Sequence, residues 1–502
     1  MQANRCLSLF MVFLLCGFTA IGQTPNVVVV LADDIGLGDI AQYRRVHSQN
    51  IQVETPELDK LMTQGIAFSD AHSPTALCAP SRYSIMTGNN SYHSYAPWGV
   101  WGAYQESPIK ETDMTLGKLM KQAGYSTAFF GKWHMGGDWL RKDSEEIYRG
   151  ARGKAELDVD ISKIVGSGPL QQGFDYSFAF PSGIQDVPYS VYENNEWYPL
   201  HKDSKIMEIT QAYMNSIHVK LDKSEGWGDS HWNPFEMGPL LAEKAVAFIE
   251  RQDKQQPFFM YYCTQAVHKP HTPSEVLDGK KIRGSTPSSH MDMILELDAQ
   301  IGMLVKALKA KGVYENTIFI FTSDNGGLQV PETIKTGHQS SDIYKGSKNQ
   351  IFEGGHRVPF VVTWPERIAQ NRTSDALISG TDIMATLADL TSQNLEKHQG
   401  MDSFSFLPVL MGEKEDSRKQ LMIQAGTDRK VAFREGNWKL ILQCDKKGNN
   451  PEPFALYDLK KDEEERINLI KKEKYQAKVT DMQKAYLEIR NQKIRTGSNP
   501  SF

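Results

Sequence analysis

The sequence predicts an α/β fold: a large mixed, mostly parallel central sheet flanked by helices, then a smaller C-terminal subdomain of antiparallel sheet plus helix. Three observations lead there. Continuous apolar runs at residues 26–31, 126–130, 257–262 and 317–322 have strand length and β-branched or aromatic content, the pattern of parallel strands covered on both faces. Helical patterns separate those runs. Beyond residue 392 the pattern changes to short alternating runs joined by turns.

At 502 residues the chain can bury a large core and form more than one domain. A formal net charge of −5 gives no electrostatic case for nucleic acid or an anionic membrane surface as a partner. Residues 1–22 read as a signal peptide: Arg5, then an apolar run over 7–18 too short to span a bilayer, then Ala20-Ile21-Gly22. Cleavage before Gln23 implies a periplasmic or secreted protein. Cys16 follows a bulky Leu15, which argues against a lipoprotein site. No second run is long enough to cross a membrane. Removal of the leader leaves Cys78, Cys263 and Cys444, too few and too scattered for a disulfide framework.

The elements follow in order. The run at 26–31 ends in Ala32-Asp33-Asp34, which places two carboxylates at the carboxyl edge of a central strand, where open α/β sheets bind ligands. Thr55-Pro56 opens a helix that Gly65 closes. A helix is expected to start at 83–86, placing Cys78 near an anion-favouring N-terminus. Residues 115–124 form a helix and 126–130 a strand. Lys132 and His134 follow two apart, on the same side of an extended segment. From 138 to 239 the periodicity weakens. Trp197, Trp227 and Trp232 fall among turn formers, and with Trp98 and Trp101 they suggest a substrate-facing insertion whose rings stack on sugar faces. A strand opens at 173–176, and Asp186 follows it.

A helix at 240–250 leads to the strand at 257–262, beyond which stand His268 and His271. A long amphipathic helix at 292–311 precedes the strand at 317–322, which ends in Asp324-Asn325. A further strand is expected at 360–365, a helix at 381–390 and a boundary over 392–400. Short strands follow at 431–433, 438–443 and 455–458, then a helix at 475–494. The charge cluster at 460–466 reads as a solvated turn. The expected division is 23–391 for the catalytic α/β domain and 392–502 for the C-terminal subdomain.

Asp33, Asp34, Asp324 and Asn325 are all oxygen donors, which favours Ca²⁺ or Mg²⁺ over zinc. The spacing does not show that the two strand ends are neighbours.

Cys78-Ala79-Pro80-Ser81-Arg82, followed by Thr87-Gly88, resembles the motif of the type I sulfatases of the alkaline phosphatase superfamily. Met86 stands where that family has a larger aliphatic residue. Gly131-Lys132-Trp133-His134-Met135-Gly136, His268-Lys269-Pro270-His271 and Glu353-Gly354-Gly355-His356-Arg357-Val358-Pro359 also match, in the family's order. The resemblance implies that Cys78 is oxidised to formylglycine by a formylglycine-generating or anaerobic sulfatase-maturing enzyme. It implies that Ca²⁺ is held by the Asp-Asp and Asp-Asn pairs and the formylglycine oxygen. It further implies that Lys132 and Lys348 bind sulfate oxygens and that Arg82 holds the hydrate and the metal carboxylates. One hydroxyl of the hydrate attacks sulfur, His134 deprotonates the other, and His268 protonates the leaving oxygen. Lys348 is selected by its place five residues before Glu353, with Lys345 as competitor. Glu353 and Arg357 are expected to be framework residues, and Asp186 and His338 to contact the sugar. A sulfated glycan, such as a glycosaminoglycan-derived saccharide, is the expected substrate. The alternatives are a phosphomonoester or phosphonate hydrolase of the same superfamily and an idle glycan-binding protein with unmodified Cys78.

Overall fold

The computed structural model describes residues 24–150, 157–493 and 495. The expected leader at 1–22 lies outside them. Counting the strands of the two principal sheets, the chain runs β1 (Asn26–Ala32), β2 (Ile66–Phe68), β3 (Ser126–Lys132), β4 (Tyr176–Ile184), β5 (Val191–Glu193) and β6 (Glu196–Tyr198). It continues with β7 (Phe258–Cys263), β8 (Thr317–Ser323), β9 (Phe360–Thr363) and β10 (Arg372–Ser374). These ten form one sheet in the order β10-β2-β9-β8-β1-β7-β3-β4-β5-β6. The five central strands, β8-β1-β7-β3-β4, are mutually parallel. Antiparallel neighbours, β9 on one side and β5 on the other, flank them.

The apolar runs are continuous because both faces of the central strands are covered. Val28 and Val30 of β1 pack on one side with α1 (Pro56–Gln64), and with two helices further along the chain, Met237–Arg251 and Ser289–Lys311. Val27, Val29 and Leu31 pack on the other with α2 (Cys78–Thr87), α3 (Leu116–Gln122) and the later helix Asp382–Leu390. In chain order the three later helices are α4, α5 and α6. Thr55 does not cap α1. Its hydroxyl accepts from Ala41 N, and Asp298 of α5 accepts from the N–H groups of Glu57 and Leu58 at 3.0 and 2.9 Å. A carboxylate from a packed helix thus serves the first turn of α1.

The stretch 138–239 is less of an insertion than its composition suggests, because it supplies β4, β5 and β6 of the main sheet. Trp232 and Trp101 are buried in apolar clusters, so gap filling outweighs sugar stacking there. Trp98 packs against the C-terminal cluster.

Four strands, β11 (Gln420–Gln424), β12 (Lys430–Glu435), β13 (Trp438–Gln443) and β14 (Glu452–Asp458), form the C-terminal antiparallel sheet, with α7 (Gln476–Arg490) upon it. One face packs on Val479, Met482 and Tyr486 of α7. The other packs on Ile351 and Leu377 of the main body. The cluster at 460–466 is not simply a solvated turn. Glu465 is fully buried, and its carboxylate lies 2.8 Å from Lys439 Nζ, which also reaches Glu353 at 2.9 Å. Two buried carboxylates share one ammonium because neither could stay charged there without a cation.

Among the described residues no helix is long and apolar enough to cross a membrane. Cys78, Cys263 and Cys444 are free and buried.

Candidate active site

The site forms where adjacent parallel strands end. β8, β1, β7 and β3 lie side by side, and their carboxyl ends deliver Asp324, then Asp33 and Asp34, then the His268 loop, then Lys132. Backbone hydrogen bonds fix this row: Asp324 N donates to Ala32 O (3.0 Å), Asp33 N to Ala266 O (2.9 Å) and Val267 N to Asp33 O (2.6 Å).

Asp33, Asp34 and Asp324 bring carboxylate oxygens within 4.8 Å of one another, all fully buried. Arg82 donates to Asp324 Oδ2 through Nε (2.9 Å) and Nη2 (2.6 Å), and Nη1 donates to Lys132 O (3.0 Å). Lys132 Nζ sits 2.6 Å from Asp33 Oδ2, and Lys348 Nζ sits 2.6 and 2.7 Å from the two oxygens of Asp34. The rival Lys345 points elsewhere, to Glu465 O at 3.1 Å and over the Phe352 ring.

Burial would raise the Asp33 and Asp34 carboxyls. The cations outweigh it, Lys132 foremost at Asp33 and Lys348 at Asp34, and hold both below the usual carboxylate range. Asp324 goes the other way: burial and then Asp33 push it up to about 7, with Arg82 opposing. Three cations, Arg82, Lys132 and Lys348, thus face three carboxylates, and Asp324 is the one left least stabilised as an anion. Asp33 Oδ1 and Asn325 Oδ1 are buried without a hydrogen-bond partner, although Asn325 Nδ2 donates to Asp34 Oδ1 at 2.8 Å. Two orphaned oxygens beside three carboxylates fit a hard divalent cation. The other candidate groups fit less well. Glu353 and His356 already hold the Lys439 ammonium, whose Nζ is 3.0 Å from His356 Nε2, His72 is taken up by Asp70 at 2.9 Å, and His201, Asp203 and His231 lie exposed on the surface.

Cys78 is the first residue of α2, so the helix starts at the thiol and not at 83–86. The preceding loop is locked by Thr75 Oγ1 against Ser81 Oγ (2.7 Å), and Asn349 N donates to Ala76 O (2.6 Å), which seats the Lys348 loop on the Cys78 loop. Cys78, Asp34, His134, His268 and Lys348 line one cavity of about 410 Å³. His134 enters it from a left-handed backbone (φ 55°), not from an extended segment, so it does not share a strand face with Lys132. Lys132 is fully buried behind Asp33, outside the cavity lining. His268 donates from Nδ1 to Lys269 O (2.8 Å), which leaves Nε2, 3.9 Å from Asp34 Oδ2, to exchange protons. Burial, then Lys348 and Lys132, lower the His268 imidazole to about 4.

Asp186 is buried, with its Oδ1 accepting from Val187 N (2.9 Å), and its neighbour Gln185, not Asp186 itself, lines the cavity. His338 is corrected: it is buried with Nε2 on Asp39 Oδ1 (2.7 Å), away from the cavity lining, because Asp39 is a buried acid that needs a partner. Glu353 and Arg357 form a buried pair at 2.9 Å that ties this loop to the C-terminal sheet through Lys439. Gln185, Asp222, Lys223, Lys269 and Thr427 also line the cavity and were not singled out from sequence. They carry no spacing signal. Thr427 comes from the turn between β11 and β12, which only the folded chain brings to the cleft.

Comparison with known proteins agrees with this geometry. The Sulfatase family model matches residues 25–393, and that for the C-terminal region of N-sulphoglucosamine sulphohydrolase matches 345–492. An N-acetylgalactosamine-6-O-sulfatase of Bacteroides thetaiotaomicron is 31% identical over 498 residues, covering 89% of this chain and 90% of that one. Human N-acetylgalactosamine-6-sulfatase is 27% identical, covering 79% and 67%. A solved structure from work on glycosaminoglycan metabolism by Bacteroides thetaiotaomicron superposes with a TM-score of 0.80 at 27% identity, covering 94% of this chain and 100% of that one. With the family matched over most of its length, the chain belongs to the type I sulfatases of the alkaline phosphatase superfamily and is a sulfuric ester hydrolase.

Proposed function

We propose that the enzyme, periplasmic or secreted after loss of its leader, removes sulfate from glycosaminoglycan-type saccharides at the cavity beside Cys78. The observation that carries the reading is the convergence of Asp33, Asp34, Asp324, Asn325, Arg82, Lys132, Lys348 and His268 in one strand-end cluster that opens on that cavity through Asp34, His268 and Lys348, with Lys348 meeting Asp34 across 314 positions. The match to N-acetylgalactosamine-6-sulfatases supports 6-O-sulfated N-acetylgalactosamine as the first substrate to try.

Asp33, Asp34, Asp324 and Asn325 would hold Ca²⁺, which supplies Lewis acidity toward a sulfate oxygen. Cys78, matured to formylglycine, would supply the nucleophilic hydroxyl at the N-terminus of α2. The chain's other groups then have separate tasks. Lys348 neutralises charge developing on the non-bridging oxygens, and Lys132 holds Asp33 in place. Arg82 fixes Asp324 through two hydrogen bonds to one oxygen and so orients the carboxylate row. His134, on the same cavity wall as Cys78, takes a proton from residue 78. His268, its Nδ1–H anchored on the Lys269 carbonyl, gives a proton from Nε2 to the departing alcohol oxygen from its imidazolium form, which the negative charge of a bound sulfate ester favours.

Mass spectrometry of the Cys78 peptide tests the maturation: thiol-to-aldehyde conversion lowers the mass by about 18 Da. A panel of regiodefined sulfated monosaccharides and disaccharides tests the substrate. Turnover of small aryl sulfates with none of any sulfated saccharide would overturn the glycan reading.

A further inference from the structure

The loop that carries His268 leaves β7 at Thr264 and does not rejoin regular structure before Ser274. Such a loop needs an anchor if an imidazole on it is to be aimed. One fully buried carboxylate provides it. Glu296 of α5 accepts from Gln265 Nε2 at 2.8 Å through Oε1 and from the backbone N–H of Ser274 at 2.5 Å through Oε2. The same side chain thus grips both ends of the loop. Gln300 adds a third donor to Oε1 at 3.2 Å, and its own Oε1 accepts from Tyr262 Oη (2.8 Å) and Thr264 Oγ1 (3.1 Å). His268 N donates to Gln265 O at 3.0 Å, so the acid is one residue-to-residue link from the clamp.

The chemistry of the clamp is selective. Three N–H donors converge on the two Glu296 oxygens, and a carboxylate accepts from all of them. An amide would set its own N–H₂ against at least one donor. The carboxylate has no cationic partner within the network, and burial raises its carboxyl above the ordinary value. Gly238 of α4 closes the pocket: a Cβ there would stand 1.9 Å from Glu296 Oε1 and 2.5 Å from Gln265 Nε2. An unpaired buried acid is costly unless every lone pair in use is satisfied, which here ties its retention to the loop it holds.

We infer that Glu296 is a positioning residue for the leaving-group acid, holding the His268 loop in register through Gln265 and Ser274. The inference rests on the reading of His268 as the acid, and it makes a demand that plain structural support does not. Acid assistance matters when the departing group is a poorly stabilised alkoxide, as from a sugar sulfate, and matters little for a stable phenolate. Damage transmitted through His268 must therefore depend on the leaving group.

The test compares a sulfated monosaccharide with 4-nitrophenyl sulfate, using calcium-loaded, formylglycine-matured full-length enzyme. Glu296→Gln is expected to lower kcat on the sugar sulfate by about 10- to 100-fold, short of the full general-acid contribution, and to leave the aryl sulfate within about threefold. Glu296→Asp should restore part of the loss. In a His268→Ala background, Glu296→Gln should add nothing further on the sugar, the non-additivity expected of groups acting as one unit. Gln265→Ala, which leaves the carboxylate in place and cuts one end of the clamp, should reproduce the pattern more weakly if Glu296→Gln fails to fold. Equal loss on both substrates, or full additivity with His268→Ala, would overturn the inference. If His268→Ala itself lacks leaving-group dependence, the acid assignment fails, and the positioning role falls with it by a separately visible route.

Discussion

Lys348 and Lys345 offer the sharpest test of the site, because they stand three residues apart and the structure gives them opposite tasks. Lys348 Nζ lies 2.6 Å from Asp34 on the cavity wall. Lys345 Nζ lies on the Glu465 carbonyl and over the Phe352 ring. Methionine at either position keeps most of the stem and removes the charge. Loss of a fixed donor aimed at developing charge in a dry site costs about 2.7–4 kcal/mol, or about 10²–10³ in kcat. Lys348→Met also removes the main cation holding Asp34 low, leaving His268 and Lys132 to offset burial and Asp33. Lys348→Met should therefore lose about 10²–10³ in kcat on a sulfated saccharide. Lys345→Met loses a cation–π contact of about 0.5–1 kcal/mol in stability and stays within about twofold in kcat. Steady-state kinetics on purified variants, with formylglycine content checked by mass spectrometry, reads both. Equal loss in the two variants, or activity within about threefold for Lys348→Met, would refute the assignment.

Three further outcomes are expected. Calcium at one hundred times its Kd should stabilise the chelator-treated enzyme by about 2.7 kcal/mol, read by thermal unfolding. Asp324 is raised to about 7 from 3.8, so without a cation its contribution is present at low pH and is lost as pH rises through about 7; the calcium-induced shift should grow over that same window, and a flat shift would contradict it. Lys439→Met leaves buried Glu465 without its cation, while Glu353 keeps Arg357, and should cost about 3–5 kcal/mol in urea unfolding while sparing the activity per folded molecule. Gly131→Ala should abolish soluble enzyme, because its Cβ would meet Cys263 O at 1.8 Å and φ is +91°, whereas Gly279→Ala, with open space around it, should cost only about 1 kcal/mol.

Much of this architecture was legible because its central strands are covered on both faces. Unbroken apolar runs such as 26–31 and 317–322 carry that burial in their composition, and the polar residues that follow them mark the strand ends. What was not legible depends on partners distant in sequence. The strand Gln420–Gln424 is five residues long with glutamine at both ends, so no alternation announces it. Glu465 looks solvated within its charge cluster until Lys439 is brought beside it. His338 looks available until Asp39 claims it. His134 follows a strand, but its left-handed backbone breaks the alternation that would have paired it with Lys132. Glu296 sits on a helix whose periodicity explains only its burial, and nothing local points to the loop it grips.

The strand order has a consequence for synthesis. β1 is buried along its whole length, yet its two hydrogen-bonding neighbours are β7 and β8, and Asn26 first meets Phe258 across 232 positions. A growing chain must carry that edge uncovered until most of the protein has been made. Long-range pairing of this kind slows folding and leaves a template for intermolecular association. Truncations that end the chain before residue 317 should therefore yield aggregates, not partial enzymes, and recovery from denaturant should depend steeply on protein concentration.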